Sequence, residues 1–258
     1  MDIAILEEHR RHAVTASGPI SYLDVGQGSS VAVLVHGILT NSLLWRHIIS
    51  ALASDGRRVI AVDLPGHGRT PPAPESDDVS LTGLARRVGE LCDHLGLSRF
   101  DLVANDTGGA VAQIVAAQLS DRLATLTLTN CDTEGNTPPT LFKPVAALAR
   151  TDLLATVGPH IAARRPLVRA LLLAGYPNVR RIPPEVVDAY GSPVLGTPGS
   201  ARAFARLIAA LSSEDLAAVR PQLANLRVPT LVVWGTGDVF FPTKWGRRLA
   251  ELIPGTTD

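Results

Sequence analysis

Two hydrophobic periods alternate along the chain. Near-continuous apolar runs at 31–35, 58–63, 100–104, 123–129 and 230–234 read as strands covered on both faces. Residues 12–24 alternate weakly around Gly18-Pro19, the pattern of two short edge strands joined by a turn. Leu43, Leu44, Ile48 and Leu52 recur at helical spacing. Ser80 stands where it can cap a helix over 81–95 that closes at Gly96, and a last helix is expected over 243–252. Repeated strand-helix alternation predicts an α/β fold, a mostly parallel sheet with right-handed crossovers and helices on both faces. In such sheets chemistry gathers at the carboxyl ends of the strands.

The alternation stops at Asp132. From there to about 225, short amphipathic pieces carry Pro138, Pro139, Pro166, Pro183, Pro184 and Pro198, with no strand pattern among them. The expected organisation is a core of residues 1–132 and 226–258 with a helical cap, 133–225, inserted in it. Leu171, Leu172, Leu173, Val186, Val187, Phe204, Leu207 and Ile208 would line a greasy pocket under that cap, suited to a hydrophobic small molecule.

The stretch from Phe100 to Ala112 reads as a buried strand, a very tight turn and a helix. Ala104 and Gly108 stand two before and two after Asp106, with Gly109 following. This is the small-x-nucleophile-x-small spacing of a nucleophile elbow, in which the turning residue is held strained and exposed. Here that residue is a carboxylate. With an ordinary pKa of about 4 it is ionised at neutral pH and can attack an electrophilic carbon without help from a base.

Composition narrows the partners. The 258 residues carry a formal net charge of zero with no basic or acidic block, which argues against nucleic acid or a charged membrane surface. Cys92 and Cys131 are too few for a disulfide frame or a metal knuckle and fit a reducing compartment. The first residues do not read as a signal peptide, and no apolar run is long enough to span a bilayer, so a cytoplasmic protein is expected. No cofactor is implied. The scattered histidines lack zinc-site spacing, and no G-x-G-x-x-G follows the first buried strand, which leaves little weight for a dinucleotide fold. A homodimer stays open.

His36-Gly37 after the third strand, Asp63-Leu64-Pro65-Gly66-His67-Gly68 after the fourth, the elbow at Asp106, and Trp234-Gly235-Thr236-Gly237-Asp238 after the penultimate strand come in one order. In that order they resemble the α/β-hydrolase fold over essentially the whole chain. An aspartate at the elbow resembles the branch that holds epoxide hydrolases and haloalkane dehalogenases. The resemblance implies that Asp106 forms an alkyl ester, which water activated by a histidine then hydrolyses. The oxyanion of that second step would sit against the backbone N–H groups of Ile38 and Thr107. Asp238 would orient the histidine, with Asp132 as the alternative acid position. Tyr176 and Tyr190 match in type the two cap tyrosines with which epoxide hydrolases donate to the epoxide oxygen. Trp45 is expected in the core, with a substrate contact as its other reading.

Departures from the pattern shape the expectation. Haloalkane dehalogenases hold the halide with a tryptophan after the nucleophile and often an asparagine after His-Gly. Thr107 and Ile38 stand there, which disfavours halide displacement. Leu39 replaces the proline of epoxide hydrolases. The family's histidine follows its last strand, yet none of the seven histidines lies beyond Asp238, and the sequence reaches Asp258 ahead of where that strand is expected to begin. His36 and His67 flank the site in loops where the family uses them to orient backbone. Whether the protein continues past Asp258 or lacks the histidine, attack is assigned and release is not. A hydrolase acting on a hydrophobic epoxide is the leading expectation. A non-hydrolytic or inactive member of the fold, one that binds or rearranges a hydrophobic small molecule, is the alternative.

Overall fold

The computed structural model describes residues 2–257 except 174 and 177. Its first element is one the hydrophobic pattern did not announce: α1, Ile3–Glu8, capped by the Asp2 side chain and burying only Leu6. Strands β1 (Arg10–Thr15) and β2 (Gly18–Val25) then form the expected antiparallel hairpin. β3 (Val31–Val35) is buried at all five residues. A 3-10 turn at Ser42–Trp45 leads into α2 (Arg46–Ser54), followed by β4 (Arg58–Asp63). In α3 (Leu81–His94) the Ser80 hydroxyl accepts from the Gly83 N–H, as the sequence suggests.

β5 (Phe100–Asp106), α4 (Thr107–Gln118) and β6 (Leu123–Cys131) form the central unit. A long helical excursion follows, with α5 (Lys143–Leu148), α6 (Leu153–Ala162), α7 (Arg165–Leu172), α8 (Pro184–Leu195), α9 (Pro198–Ala210) and α10 (Ser213–Leu223). The chain returns through β7 (Thr230–Val233), α11 (Thr243–Leu252) and β8 (Thr256–Thr257).

The eight strands form one sheet in the order β1-β2-β4-β3-β5-β6-β7-β8, antiparallel across β1, β2 and β4 and parallel from β4 onward. The expectation that the sequence stops ahead of the last strand is corrected here. Thr256 and Thr257 pair in parallel with Thr230 and Leu231, so that strand has begun. Gly255, at φ 70°, lies in the turn that takes the chain out of α11 into that strand.

Strand alternation assigns the core to two faces. Val31, Val33 and Val35 of β3 pack with α3 and α4, whereas Ala32 and Leu34 pack with Leu6 and Ile49 on the other side. α4 is buried from Thr107 through Ala116, which is why its sequence is apolar all round. The excursion holds a smaller cluster of its own, including Leu195, Phe204 and Ile208. Among the described residues no helix is long and apolar enough to cross a membrane.

Candidate active site

Asp106 ends β5 at the middle of the sheet, between β3 and β6. Its backbone takes φ 56° and ψ −136°, a conformation that costs a non-glycine residue about 1–3 kcal/mol and persists only when its surroundings impose it. The surroundings are small for that reason. A Cβ on Gly108 would lie 2.3 Å from the His36 carbonyl oxygen. This turn is the strained elbow that the spacing of small residues predicts.

The Asp106 carboxylate points at two backbone donors. Its Oδ1 accepts from the Thr107 N–H at 2.5 Å and from the Ile38 N–H at 3.3 Å. Oδ2 takes no hydrogen bond among the described residues. Burial pushes the Asp106 pKa up, the Thr107 and Ile38 groups pull it down, and the charge of Asp238 adds a smaller upward push.

Asp132, at the end of the neighbouring β6, is drawn against the elbow. Its backbone N–H donates to the Asp106 carbonyl at 3.3 Å, and its Oδ2 accepts from the Thr107 hydroxyl at 3.0 Å. Burial first, then the charge of Asp106, pushes the Asp132 carboxyl up to about 8. Two carboxyls bridged by one threonine are therefore both pushed up, and Asp132 keeps its proton at neutral pH.

The loops beside the elbow are fixed by His36 and His67. His36 Nε2 accepts from the Leu64 N–H at 3.0 Å while its Nδ1 faces the Gly37 carbonyl at 2.6 Å, which fixes a neutral Nδ1–H tautomer. His67 repeats the arrangement with the Leu39 N–H and the Pro65 carbonyl. Burial pushes His36 down to about 4 and His67 down to about 3, His36 adding to the latter. Both rings hold loops, and neither has a free nitrogen for a proton from water.

Asp238 sits in the turn after β7. Its Oδ1 accepts from the N–H groups of Phe240 and Phe241, and its Oδ2 from the Asn130 side chain at 3.0 Å. Those contacts seat Phe240 and Phe241 in the wall of the site.

Asp106 lies on the floor of a cavity of about 590 Å³ whose walls are mainly apolar. Of the residues expected to line it, Leu171, Leu172, Phe204 and Ile208 do so. Leu173 instead faces solvent, while Val186, Val187 and Leu207 are spent on packing the excursion against the sheet layers. Tyr176 lines the cavity, and its hydroxyl is 3.4 Å from that of Tyr190. Tyr190, 1% exposed, stands behind it. Trp45 belongs to the core and also reaches the cavity wall, its Nε1 having no partner among the described residues. Asn105, Phe240 and Phe241 also line the cavity and were not singled out from sequence. Their positions directly before Asp106 and two and three residues after Asp238 were the available signal.

This combination, an elbow after the central strand of a mostly parallel sheet and a pocket roofed by inserted helices, defines a class of protein. The profile of the alpha/beta hydrolase fold family matches residues 32–258, and the chain belongs to that family. It is 31% identical over 252 residues to haloalkane dehalogenase 2 of Mycobacterium tuberculosis, covering 93% of this chain and 82% of the relative. It is 27% identical to a 2-hydroxy-6-oxononadienedioate/2-hydroxy-6-oxononatrienedioate hydrolase of Burkholderia vietnamiensis, covering 91% and 80%. Among solved structures, an alpha/beta hydrolase fold protein from Burkholderia ambifaria superposes with a TM-score of 0.82 at 27% identity, covering 98% of this chain and 87% of that one. Relatives named as a dehalogenase and as hydrolases put the chain with the hydrolases of this fold.

Proposed function

We propose that the chain is a hydrolase in which Asp106 attacks a hydrophobic epoxide or a related small electrophile, forming an alkyl ester on the enzyme. The observation that carries this reading is the strained Asp106 carboxylate, one oxygen held by two backbone N–H groups and the other unbonded, at the base of an apolar cavity. Asp106 Oδ2 would form the new C–O bond as the ring C–O bond breaks. Tyr176, in the cavity wall and backed by Tyr190, would give its hydroxyl proton to the departing oxygen. The helices α5–α10 act as a cap that selects for apolar substrates.

Halide displacement is the chemistry in the name of the dehalogenase relative. Ile38 offers no side-chain donor and the Thr107 hydroxyl is already given to Asp132, so an epoxide suits the site better. A second reading, binding or rearrangement without hydrolysis, is favoured by one observation: no histidine lines the cavity among the described residues.

The test is the intact mass of the protein after exposure to a panel of aryl and alkyl epoxides and halides, beside Asp106→Asn. An adduct or a diol product that depends on Asp106, strongest with apolar epoxides, is expected. No adduct and no turnover across the panel would overturn the proposal.

A further inference from the structure

Exposed apolar side chains are gathered in one part of the chain. Of thirteen large ones among the described residues, seven lie between Leu141 and Leu173. The 3-10 turn at Thr140–Phe142 and α5 present Leu141, Val145 and Leu148, at i, i+4 and i+7. α7 presents Leu167 and Leu171, at i and i+4. Each set is a stripe along one helical face. Leu141, Val145, Leu148 and Leu171 also line the cavity above Asp106 while standing 39–62% exposed, so they form the rim of its mouth. Single exposed leucines are ordinary, but stripes that run into an apolar cavity mark a surface for interaction.

The zero net charge of the chain is an average that hides a second asymmetry. Residues 141–182 hold seven Lys and Arg against one acid, Asp152. Asp152 pairs with Arg202 and Arg165 pairs with Asp188. Lys143, Arg150, Arg164, Arg180 and Arg181 are exposed and form no ion pair among the described residues. They are interleaved with the stripes: Lys143 stands within the first, Arg150 just beyond it and Arg164 ahead of the second. Arg180 and Arg181 sit in a turn held to α7 by Arg169, which donates to the Val179 and Ile182 carbonyls.

We propose that this face docks on an anionic lipid surface and that the cavity takes its apolar ligand directly from it. The docking is independent of the chemistry at Asp106, and the uptake rests on the reading of the cavity as a site for apolar substrates. Apolar stripes flanked by cations match a bilayer interface, where leucines enter the acyl boundary and the ammonium and guanidinium groups stay with the headgroup phosphates. Such docking needs no spanning segment, and among the described residues no helix is long and apolar enough to be one. A second copy of the chain fits the face less well, because a two-fold contact would set these unpaired cations against their own like. Nucleic acid would meet the cations and leave the leucines uncovered. With the rim of Leu141, Val145, Leu148 and Leu171 against the lipid, a sparingly soluble compound passes from acyl chains to cavity without crossing water.

Co-sedimentation with vesicles tests this without any reaction. The protein is mixed with vesicles of phosphatidylcholine alone and with vesicles in which about a third of the lipid is phosphatidylglycerol, at low and high salt. Binding to the anionic vesicles is expected to be about 100-fold tighter or more at low salt, since each cation near such a surface contributes about fivefold, and salt should weaken it. Lys143→Gln with Arg150→Gln should lose about 25-fold on the anionic vesicles. Leu153→Ser with Leu173→Ser, both outside the cavity wall, should lose about tenfold at low and high salt alike. All four positions are exposed, so folding is not at stake. Asp106→Asn should bind as the wild type does, which reads a failure of the chemistry apart from a failure of docking. No binding to the anionic vesicles, or binding that neither pair of substitutions weakens, overturns the proposal. So does self-association that the leucine pair abolishes while vesicles bind no protein, which assigns the face to a second copy.

Discussion

Gly37 and Asp106 leave no room between them: a Cβ on Gly37 would lie 2.2 Å from the Asp106 Cβ and 2.4 Å from its Oδ1. The carboxylate owes its alignment on the Ile38 N–H to that missing methyl. Gly37→Ala should therefore lower stability by about 1–3 kcal/mol and slow ester formation by about 100-fold or more, because the overlap falls on the carboxylate proposed to attack. Denaturation and adduct mass read the two effects. An alanine variant that forms ester at the wild-type rate would remove the steric argument.

Stability should peak near pH 6.5. His36 and His67 stay neutral in the folded protein down to about 4 and about 3, whereas unfolded histidine takes a proton below about 6.5. Each thus costs about 1.4 kcal/mol of stability per pH unit as pH falls through that window. Asp132 has the opposite sense. It holds its proton up to about 8, unfolded aspartate only to about 3.9, so stability is lost at the same rate as pH rises between those values. Below pH 6.5 the two histidines outweigh Asp132. Above it Asp132 acts unopposed up to about 8, and the raised Asp106 has the same sense over its own window. Urea midpoints across pH 4 to 8 measure the curve, and Asp132→Asn should flatten its alkaline limb.

Thr107→Val keeps the backbone N–H that holds Asp106 and removes the hydroxyl that donates to Asp132. Loss of one such hydrogen bond is worth about a factor of ten or less in ester formation. The same hydroxyl favours the charged form of Asp132, so the alkaline limb of the stability curve should extend to higher pH in the variant. A downward or absent shift contradicts the bridge between the two carboxyls.

Arg10→Ala tests the far side of the sheet. Asp63 is fully buried and its carboxylate receives Arg10 Nη1 at 2.7 Å, the Ser42 N–H at 2.8 Å and the Arg69 N–H at 3.0 Å. Removing the one cation leaves a buried charge poorly matched, at a cost of about 3 kcal/mol or more. Arg10→Lys should restore part of it, as a point charge without the guanidinium's fork. Chemical denaturation measures both.

Much of this was legible because it is written in local spacing. The elbow, the strand runs and the Ser80 cap follow from residues within a few positions of one another, and each appears where the pattern puts it. The α1 helix was not legible, since a six-residue helix that buries only Leu6 has no periodicity to show. Nor was the division of the excursion's leucines and valines between cavity and packing, because an apolar side chain serves either. The pairing of Asp132 with Thr107 spans 25 positions and depends on the register of β5 against β6, which no local pattern encodes.

The helices between β6 and β7 carry an apolar cluster of their own, with Leu195, Phe204 and Ile208 set apart from the layers that clamp the sheet. The ceiling of the cavity can therefore be reshaped by substitutions that leave the layers clamping the sheet in place. The elbow is anchored through His36, Gly37 and Cys131, and it meets that cluster through Ile38 and Leu39 and where Phe204 lies 5.7 Å from the His67 ring. The shape of the cavity's ceiling and the geometry of the Asp106 carboxylate are thus set mainly by different parts of the chain, so that the ceiling can drift across generations while the carboxylate is held to one geometry.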